Sequence, residues 1–283
     1  MATSASTNAN RGNLEKLMRK IAEHSGLDLT SYRRPYLERR LAARMRVLGL
    51  ITYRQYAECL ESDPDEHARF IQTLTINVTD FFRDEAMWTA LRTKVIPTII
   101  DEKLRHHGHT IRIWSAGCAT GEEPYSLAMA FLECLGDDAG KFSLSITGTD
   151  IDPDALAVAS AGLYAPNTLT AVPADYRERY FVSKPEDGPG MRVRPEVRRL
   201  VRFNAFSLFD SSPMKLVDLV MCRNVFIYFN RDEQAKALDK FWKSMSRGGF
   251  LVLGRTEKLS VVAAEQLEQI DSRERIYRKP RRR

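Results

Sequence analysis

The sequence has few cysteines, and their spacing excludes two kinds of scaffold. Four cysteines occur in 283 residues, too scattered for a CxxC metal clip or a disulfide framework, so we expect reduced thiols. A histidine cluster at residues 106–109 has no obvious accompanying set of thiolates or carboxylates. We therefore predict no metal site.

Long apolar runs are also missing. The longest clean apolar stretch, residues 126–132, is less than half of the roughly 18 residues that a bilayer crossing needs. The N-terminus lacks the basic-then-apolar pattern of a secretory signal. We therefore expect a cytoplasmic protein without membrane insertion.

What is present is an ordinary globular composition with an uneven charge. Hydrophobic residues make up 43% and charged residues 28%, which excludes disordered and collagen-like chains. At about 150 residues per domain, the length predicts roughly two domains. The net charge of the whole chain is +6. Residues 11–50 hold ten Lys or Arg against four Asp or Glu, and residues 278–283 hold five further basic residues. A local basic surface indicates an acidic partner, which from charge alone is a nucleic acid, an anionic lipid or an acidic protein.

The hydrophobic rhythm changes along the chain. Residues 11–75 follow helical spacing throughout, with a capping-box pair at Thr52 and Gln55, and predict a small all-helical domain. After a linker and connecting helix at 76–110, short β-rich runs alternate with helical patterns over 111–283. This alternation predicts a doubly wound α/β domain, Rossmann-like in class. The alternation of strands and helices is interrupted at about 163–199 by a stretch with several prolines, which predicts an inserted antiparallel β flap.

The turn after the first predicted strand indicates the kind of ligand. Ligands of open α/β sheets bind beyond the carboxyl ends of the strands. Here Gly117 and Gly121 allow close backbone approach, while Glu122 and Glu123 open the next helix. Two carboxylates at a helix N-terminus repel a pyrophosphate, and neither GxGxxG nor GK[ST] is present. A cationic ligand fits better.

Asp150 follows the second predicted strand, where a carboxylate commonly holds a ribose diol. Asp152, two residues later and directly before Pro153, is predicted to cap the next helix instead. The glycine turn, the acidic ribose contact and the acidic helix start together predict S-adenosylmethionine, an adenosine ligand with a sulfonium and no phosphate.

Four separated motifs then resemble one family, in order along the chain. They are NVTDFFRD at 77–84, WSAGCATGEEPYS at 114–126, TDID at 149–152 and CRNVFIYF at 222–229. This series is similar to that of the CheR family, the chemotaxis receptor glutamate methyltransferases. The resemblance covers nearly the whole chain, including the helical domain and the flap.

The resemblance implies a set of site residues. Cofactor contacts are implied for Asn77, Thr79, Arg83, Glu122, Asp150, Asn224 and Val225, which join Gly117 of the glycine turn. Where an Asn-Leu pair is expected after the third strand, this chain has Ser207 and Leu208, and Asn204 is a competing candidate for the adenine contact.

The implied reaction needs little acid–base chemistry. A γ-glutamyl carboxylate, with a reference pKa of about 4.3, is already a nucleophile at neutral pH. Its attack on the sulfonium methyl brings opposite charges together and yields a neutral ester and S-adenosylhomocysteine. A dry, oriented pocket favours such a step. Arg83 is predicted to bind one carboxylate oxygen. The ring of Tyr228 is predicted to border the methyl group, and its hydroxyl to donate a hydrogen bond.

The second predicted helix concentrates arginines, of which Arg33, Arg40 and Arg44 share one face by spacing. The resemblance implies that this face docks the acidic methylation helices of a chemoreceptor, as part of sensory adaptation. In some family members the flap binds a peptide at the receptor C-terminus, and in others it does not. The proline-rich loop at 183–190 does not decide between these two kinds. We expect a monomer.

Two other functions compete with this interpretation. A nucleic-acid methyltransferase could use the same fold and a basic surface, but the amino-directed kind carries [DN]PP[YF] where this chain has residues 223–228. Flipped-base stacking is therefore not supported. The other alternative is a cofactor-sensing adaptor without catalysis, against which the presence of Arg83 and Tyr228 argues.

Overall fold

The computed structural model describes residues 2–25, 29–74, 77–183, 186, 188–210 and 214–281. The chain divides into two compact units. The helical unit comprises Met1–Ile76 with Tyr228–Asn230, and the α/β unit comprises Asn77–Ile227 with Arg231–Arg283. Residues 75 and 76, where the predicted helical domain meets the predicted linker, lie outside the described residues, as do residues 282 and 283 of the basic tail. Within the described part of the chain, no helix is long and apolar enough to cross a bilayer.

Four helices form most of the helical unit: α1 (Ala2–Ser25), α2 (Arg34–Val47), α3 (Tyr53–Ser62) and α4 (Pro64–Leu74). Leu14, Leu17 and Ile21 form a fully buried stripe on α1, because helical spacing puts them on one face. The predicted capping box opens α3, where the Gln55 N–H donates to Thr52 Oγ1 at 3.3 Å and the Thr52 N–H donates to Gln55 Oε1 at 3.0 Å.

Arg44 lies in an internal ion pair, which corrects its predicted place on a docking face. Its Nε and Nη2 donate to the two carboxylate oxygens of Glu66 on α4, at 2.6 and 2.5 Å. Glu66 is fully buried, and the Tyr56 hydroxyl also donates to it at 2.9 Å. Spacing along α2 could not reveal a carboxylate supplied by another helix.

Replacing Arg44 by alanine should therefore destabilise the helical unit rather than affect a surface. Loss of one partner from a buried ion pair costs about 3 kcal/mol or more of unfolding free energy, and Arg69, 3.8 Å from Glu66, offsets only part of it. Urea unfolding measures the change. The matched control is Arg54→Ala, which breaks an exposed pair with Glu58 and should cost about 0.5 kcal/mol or less. Equal losses in the two variants would contradict the assignment.

After residues 77–84, the α/β unit has a long helical segment, which lies within the linker and connecting helix predicted at 76–110. It is made of α5 (Glu85–Ala90), a π-helical turn (Leu91–Val95) and α6 (Ile96–Arg105). Its further helices are α7 (Glu122–Leu135), α8 (Pro153–Ala161), α9 (Ala174–Tyr180), α10 (Pro195–Arg198), α11 (Arg231–Ser244) and α12 (Val261–Gln266). The strands of its main sheet are β1 (Thr110–Ala116), β2 (Ser143–Asp150), β6 (Val201–Ala205), β7 (Val217–Cys222), β8 (Met245–Leu253), β9 (Glu268–Asp271) and β10 (Ile276–Arg278).

The main sheet has the strand order β6-β2-β1-β7-β8-β10-β9. It is parallel except for β10, which runs antiparallel to both neighbours. All six residues of β7 are buried, as expected for a strand covered on both faces. After β1 the chain builds one side of the sheet and then returns to β7 on the other side. The carboxyl ends of β1 and β7 are therefore the topological switch point, where open α/β sheets bind ligands.

The flap is a separate antiparallel sheet of β3 (Leu163–Tyr164), β5 (Met191–Val193) and β4 (Phe181–Ser183), in that spatial order. Glu133 of α7 fixes it by accepting hydrogen bonds from Tyr180 and Arg179. The buried ring of Phe81 packs against the rings of Tyr164 and Phe181, with centroids 4.9 and 5.3 Å apart. The loop at 183–190 lies partly outside the described residues. The predicted fold class, with its inserted antiparallel flap, is confirmed.

Candidate functional site

The turns after β1 and β7 meet at the switch point. Gly117 has φ +76°, and a Cβ atom there would lie 2.4 Å from Cγ2 of Val225. Asn224 is also left-handed, with φ +60°. Any larger residue at position 117 would push the two turns apart, so the backbone of Gly117 and the side chain of Val225 define one edge of the site.

The two glutamates at the start of α7 have different environments. Glu122 is 4% exposed and accepts a hydrogen bond from the Thr120 hydroxyl at 2.7 Å. Burial raises the pKa of Glu122 to about 7, and the nearby Asp80 carboxylate adds to the rise. Glu123 instead accepts from Ser115 Oγ at 2.8 Å and faces Arg223 Nη1 at 3.6 Å. Glu123 is therefore paired with a charged group of the protein, whereas Glu122 has only the Thr120 hydroxyl and its own backbone N–H to oppose the effect of burial.

Asp150 ends β2 with both carboxylate oxygens held by backbone. Its Oδ2 accepts from the Ala119 N–H at 2.8 Å and its Oδ1 from the Asp152 N–H at 3.1 Å. Burial raises the pKa of Asp150, and these N–H groups oppose the rise. Because a carboxylate has about four lone-pair sites, Asp150 keeps acceptor capacity for the hydroxyls of a ligand.

Asp152 caps α8, as the sequence predicted. Its Oδ1 accepts from the N–H groups of Asp154 and Ala155, at 2.9 and 3.2 Å. Its Oδ2 accepts from Asn77 Nδ2 at 2.7 Å. Asn77 is thereby fixed next to the turn that carries Asp150, and its predicted contact with the cofactor stays a prediction.

The linker presents Arg83 on a tight turn. Its neighbours Phe82 and Asp84 have positive φ angles of 52° and 64°. The Arg83 carbonyl accepts from Trp88 Nε1 at 3.0 Å, and the half-buried guanidinium donates from Nη1 to the Val78 carbonyl at 3.0 Å. Across the described ranges no carboxylate forms an ion pair with Arg83. Most of its N–H donors are thus available to a ligand.

Arg223 is a residue that the sequence interpretation missed. Its side chain is 3% exposed and forms ion pairs with Asp84 and Glu123. Its Nη1 also donates to the Arg83 carbonyl at 3.3 Å. Arg223 therefore connects the end of β7, the start of α7 and the turn that carries Arg83. The available signal was an arginine directly after a strand of buried apolar residues, which requires charged partners.

The loop after β6 is held by a lysine of α11. Lys240 Nζ donates to the carbonyls of Leu208 and Asp210. Ser207 Oγ accepts from the Phe209 N–H at 3.1 Å, and Leu208 is buried. The competing candidate Asn204 lies within β6, paired with Thr149 of β2. The predicted adenine contacts of Ser207 and Leu208, like the cofactor contact of the half-buried Thr79, stay predictions.

Tyr228, predicted as catalytic, belongs to the helical unit. Its ring centroid lies 4.9 Å from that of Tyr36, and its carbonyl accepts from the Arg33 N–H at 2.8 Å. Arg33 Nε donates to the Phe229 carbonyl at 2.8 Å, and the Arg40 guanidinium lies 5.3 Å from the Tyr36 ring centroid. The catalytic role of Tyr228 and the docking roles of Arg33 and Arg40 stay predictions.

The switch-point residues suit a cationic adenosine ligand. Gly117 offers close backbone approach, and Glu122 puts a buried carboxylate at the helix start, which repels phosphate and attracts an ammonium or sulfonium. Residues 77–276 match the family model "CheR methyltransferase, SAM binding domain", and residues 12–75 match "CheR methyltransferase, all-alpha domain". The chain belongs to the CheR methyltransferase family. The resemblance, the cofactor S-adenosylmethionine and the methyltransferase function are thereby confirmed.

Individual CheR relatives agree with the family assignment. A chemotaxis protein methyltransferase of Listeria monocytogenes is 33% identical over 85% of this chain and 88% of its own length. A probable chemotaxis protein methyltransferase of Rhizobium etli is 33% identical over 88% of this chain and 94% of its own length. An uncharacterized 104.1 kDa protein of Rhodobacter capsulatus is 34% identical over 93% of this chain. The chain spans only 27% of that last protein.

The raised pKa of Glu122 predicts that cofactor affinity depends on pH. An ammonium ligand binds the ionised carboxylate, so the affinity for S-adenosylhomocysteine should increase as the pH rises through about 7. Calorimetric titration should show binding about tenfold weaker at pH 6 than at pH 8. Glu122→Gln should bind more weakly and with little pH dependence over this interval. An affinity of the intact protein that is the same at both pH values would contradict this role.

Proposed function

We propose that this CheR protein transfers the methyl group of S-adenosylmethionine to glutamate side chains of chemoreceptors, giving γ-glutamyl methyl esters. The names of the relatives from Listeria monocytogenes and Rhizobium etli support a role in chemotaxis. The observation that carries the choice of acceptor is Arg83. It is half-buried, stands on a fixed turn of the linker, and has no ion-pair partner among the described residues. Such a guanidinium suits a carboxylate substrate.

Arg83 is proposed to orient the substrate rather than to activate it. A glutamate with a pKa of about 4.3 is ionised at neutral pH, so no general base is needed. Holding one carboxylate oxygen leaves the other free to attack. The bound cofactor supplies an electrophilic methyl group: a carbon–oxygen bond forms as the carbon–sulfur bond breaks, and no proton moves. Tyr228 is the proposed second catalytic residue: its ring would border the methyl group, and its hydroxyl would donate a hydrogen bond.

Neither alternative function is favoured. The family to which the chain belongs is a methyltransferase family with a helical domain of its own, and both parts are matched. The relatives from Listeria monocytogenes and Rhizobium etli are chemotaxis protein methyltransferases by name, which does not favour a nucleic-acid acceptor. A silent adaptor leaves Arg83 unexplained, because a protein that only senses the cofactor has no acceptor to orient.

The test is methyl transfer to a purified chemoreceptor cytoplasmic fragment from methyl-labelled S-adenosylmethionine. We expect label in the receptor that is released as methanol at high pH, because esters hydrolyse there and N-methyl groups do not. A fragment with its acceptor glutamates changed to glutamine should take up no label. Base-stable label, or label in added nucleic acid instead of the receptor, would refute the proposal.

Arg83→Ala should lower kcat/KM for the receptor about 10- to 100-fold, the equivalent of about 1.5–3 kcal/mol for hydrogen bonds to a charged group. Arg83→Lys should recover only part of the loss, because an ammonium cannot bind a carboxylate in the same planar geometry. The control is Arg105→Ala at the exposed end of α6, which should retain full activity. Unchanged kcat/KM in Arg83→Ala would contradict a role in substrate orientation.

We further propose that α2 and its N-cap dock the acidic methylation helices of the receptor, through Arg33 and Arg40 without Arg44. Arg33 is exposed, and Arg40 is half-buried against Tyr36. A C-terminal peptide of the same receptor would bind at the flap, as a second contact. Neither contact requires an oligomer, and we propose that the protein acts as a monomer in the cytoplasm.

Charge reversal on α2 should weaken receptor methylation while leaving cofactor binding intact. Arg33→Glu and Arg40→Glu should each raise KM for the receptor several-fold at low salt, and the difference from the intact protein should shrink as salt screens the surface charges. Arg54→Glu, on the exposed face of α3, is the matched control. Methylation at low salt that is unchanged in both α2 variants would refute docking on this helix.

A further inference from the structure

One buried carboxylate in the α/β unit has no part in the reaction described above. Glu257 follows β8 and is 3% exposed. Its Oε1 accepts from the Phe226 N–H at 2.7 Å, and its Oε2 accepts from the Gly254 N–H at 2.6 Å. Burial raises the pKa of Glu257, and the backbone N–H groups of Gly254 and Phe226, together with those of Asn224 and Val225 nearby, oppose the rise by favouring the charged form.

The charge of Glu257 is balanced by backbone groups. Over the part of the chain that the structure describes, no lysine or arginine forms an ion pair with it. Successive N–H groups around a left-handed residue form a concave anion site, and here Asn224, with φ +60°, provides that geometry. A buried carboxylate without such donors would be strongly destabilising. Glu257 therefore acts as an internal anion for the turn at residues 224–226.

This turn is the one that closes against the glycine loop. Val225 fills the space above Gly117, where an added Cβ would lie 2.4 Å from its Cγ2. On the other side, a Cβ at Gly254 would lie 2.8 Å from Glu257 Oε2 and 3.0 Å from the Asn224 backbone nitrogen. The turn is thus held between two glycines, with little room to move while the carboxylate stays in place.

We infer that Glu257 is a positioning residue for cofactor binding, which holds the turn of Asn224 and Val225 at the distance from Gly117 that the cofactor requires. It acts through backbone and touches neither cofactor nor acceptor. The inference rests on the proposed cofactor contacts of Asn224 and Val225. It does not depend on which acceptor is methylated.

The decisive variant is Glu257→Gln, which keeps the size of the side chain but replaces one acceptor oxygen by an NH2 donor facing backbone N–H groups. We expect calorimetric titration to show at least tenfold weaker binding of S-adenosylhomocysteine. The matched control is Asp218→Asn, another buried acid, at the amino end of β7, where it pairs with Lys103 at 2.8 Å. Asp218→Asn should lower the melting temperature while keeping the affinity within twofold.

A spectroscopic readout separates positioning from general loss of stability. The amide proton resonances of Gly254 and Phe226, which hydrogen-bond to the charged carboxylate, should shift upfield in Glu257→Gln and remain in place in Asp218→Asn. If Glu257→Gln does not fold, Glu257→Asp keeps the charge but draws it back by one methylene group, and we expect the same tenfold weakening.

An affinity for S-adenosylhomocysteine within twofold of the intact protein, in whichever of the two Glu257 variants folds, would overturn the inference. Failure of the proposed function gives a different result. An intact protein that binds S-adenosylhomocysteine but does not methylate a receptor would refute the acceptor and leave the Glu257 comparison valid.

Discussion

The cofactor edge depends on how closely the turn after β7 approaches the turn after β1. Neighbouring parallel strands lie about 4.8 Å apart, so the two turns compete for the same space at the switch point. Because Gly117 has no side chain, the side chain of Val225 can occupy this space. Two buried side chains then hold the β7 turn from different directions. Arg223 joins it to the linker and α7, and Glu257 binds its backbone from β8.

Five acidic residues near this edge differ in their hydrogen-bond partners. Glu123 is paired with an arginine and a serine, whereas Asp150, Asp152 and Glu257 are held mainly by backbone N–H groups. Burial raises the pKa of Glu122, as it does those of Glu123, Asp150 and Glu257. The rise at Glu122 is opposed only by the Thr120 hydroxyl and the backbone N–H of Glu122 itself. A positively charged ligand therefore stabilises the charge of Glu122 more than that of the other carboxylates. This preference depends on the hydrogen-bond partners of each carboxylate and not on its residue type.

Local signals in the sequence predicted the elements and the caps. The periodicity indicated a helical domain followed by alternating strands and helices, Thr52 and Gln55 predicted the start of α3, and Asp152 before Pro153 predicted the cap of α8. Each of these depends on residues close together along the chain. The interactions of Arg44, Arg223 and Glu257 could not be predicted in this way, because their partners come from other elements. Of the site, the sequence therefore indicated which loops carry it, but not which charged side chains are engaged internally.

The composition of the helical unit has a consequence for how the protein is made. Tyr228–Asn230 belongs to that unit, with Phe229 bridged to Tyr32 and the Asn230 N–H bonded to the Ser31 carbonyl at 3.0 Å. A ribosome releases the N-terminal helices first, and the whole of residues 77–227 must follow before this last segment emerges. The helices can form early, because their contacts are local, but the bridge between Tyr32 and Phe229 can form only late in synthesis. Completion of the first unit is therefore coupled to translation of most of the second.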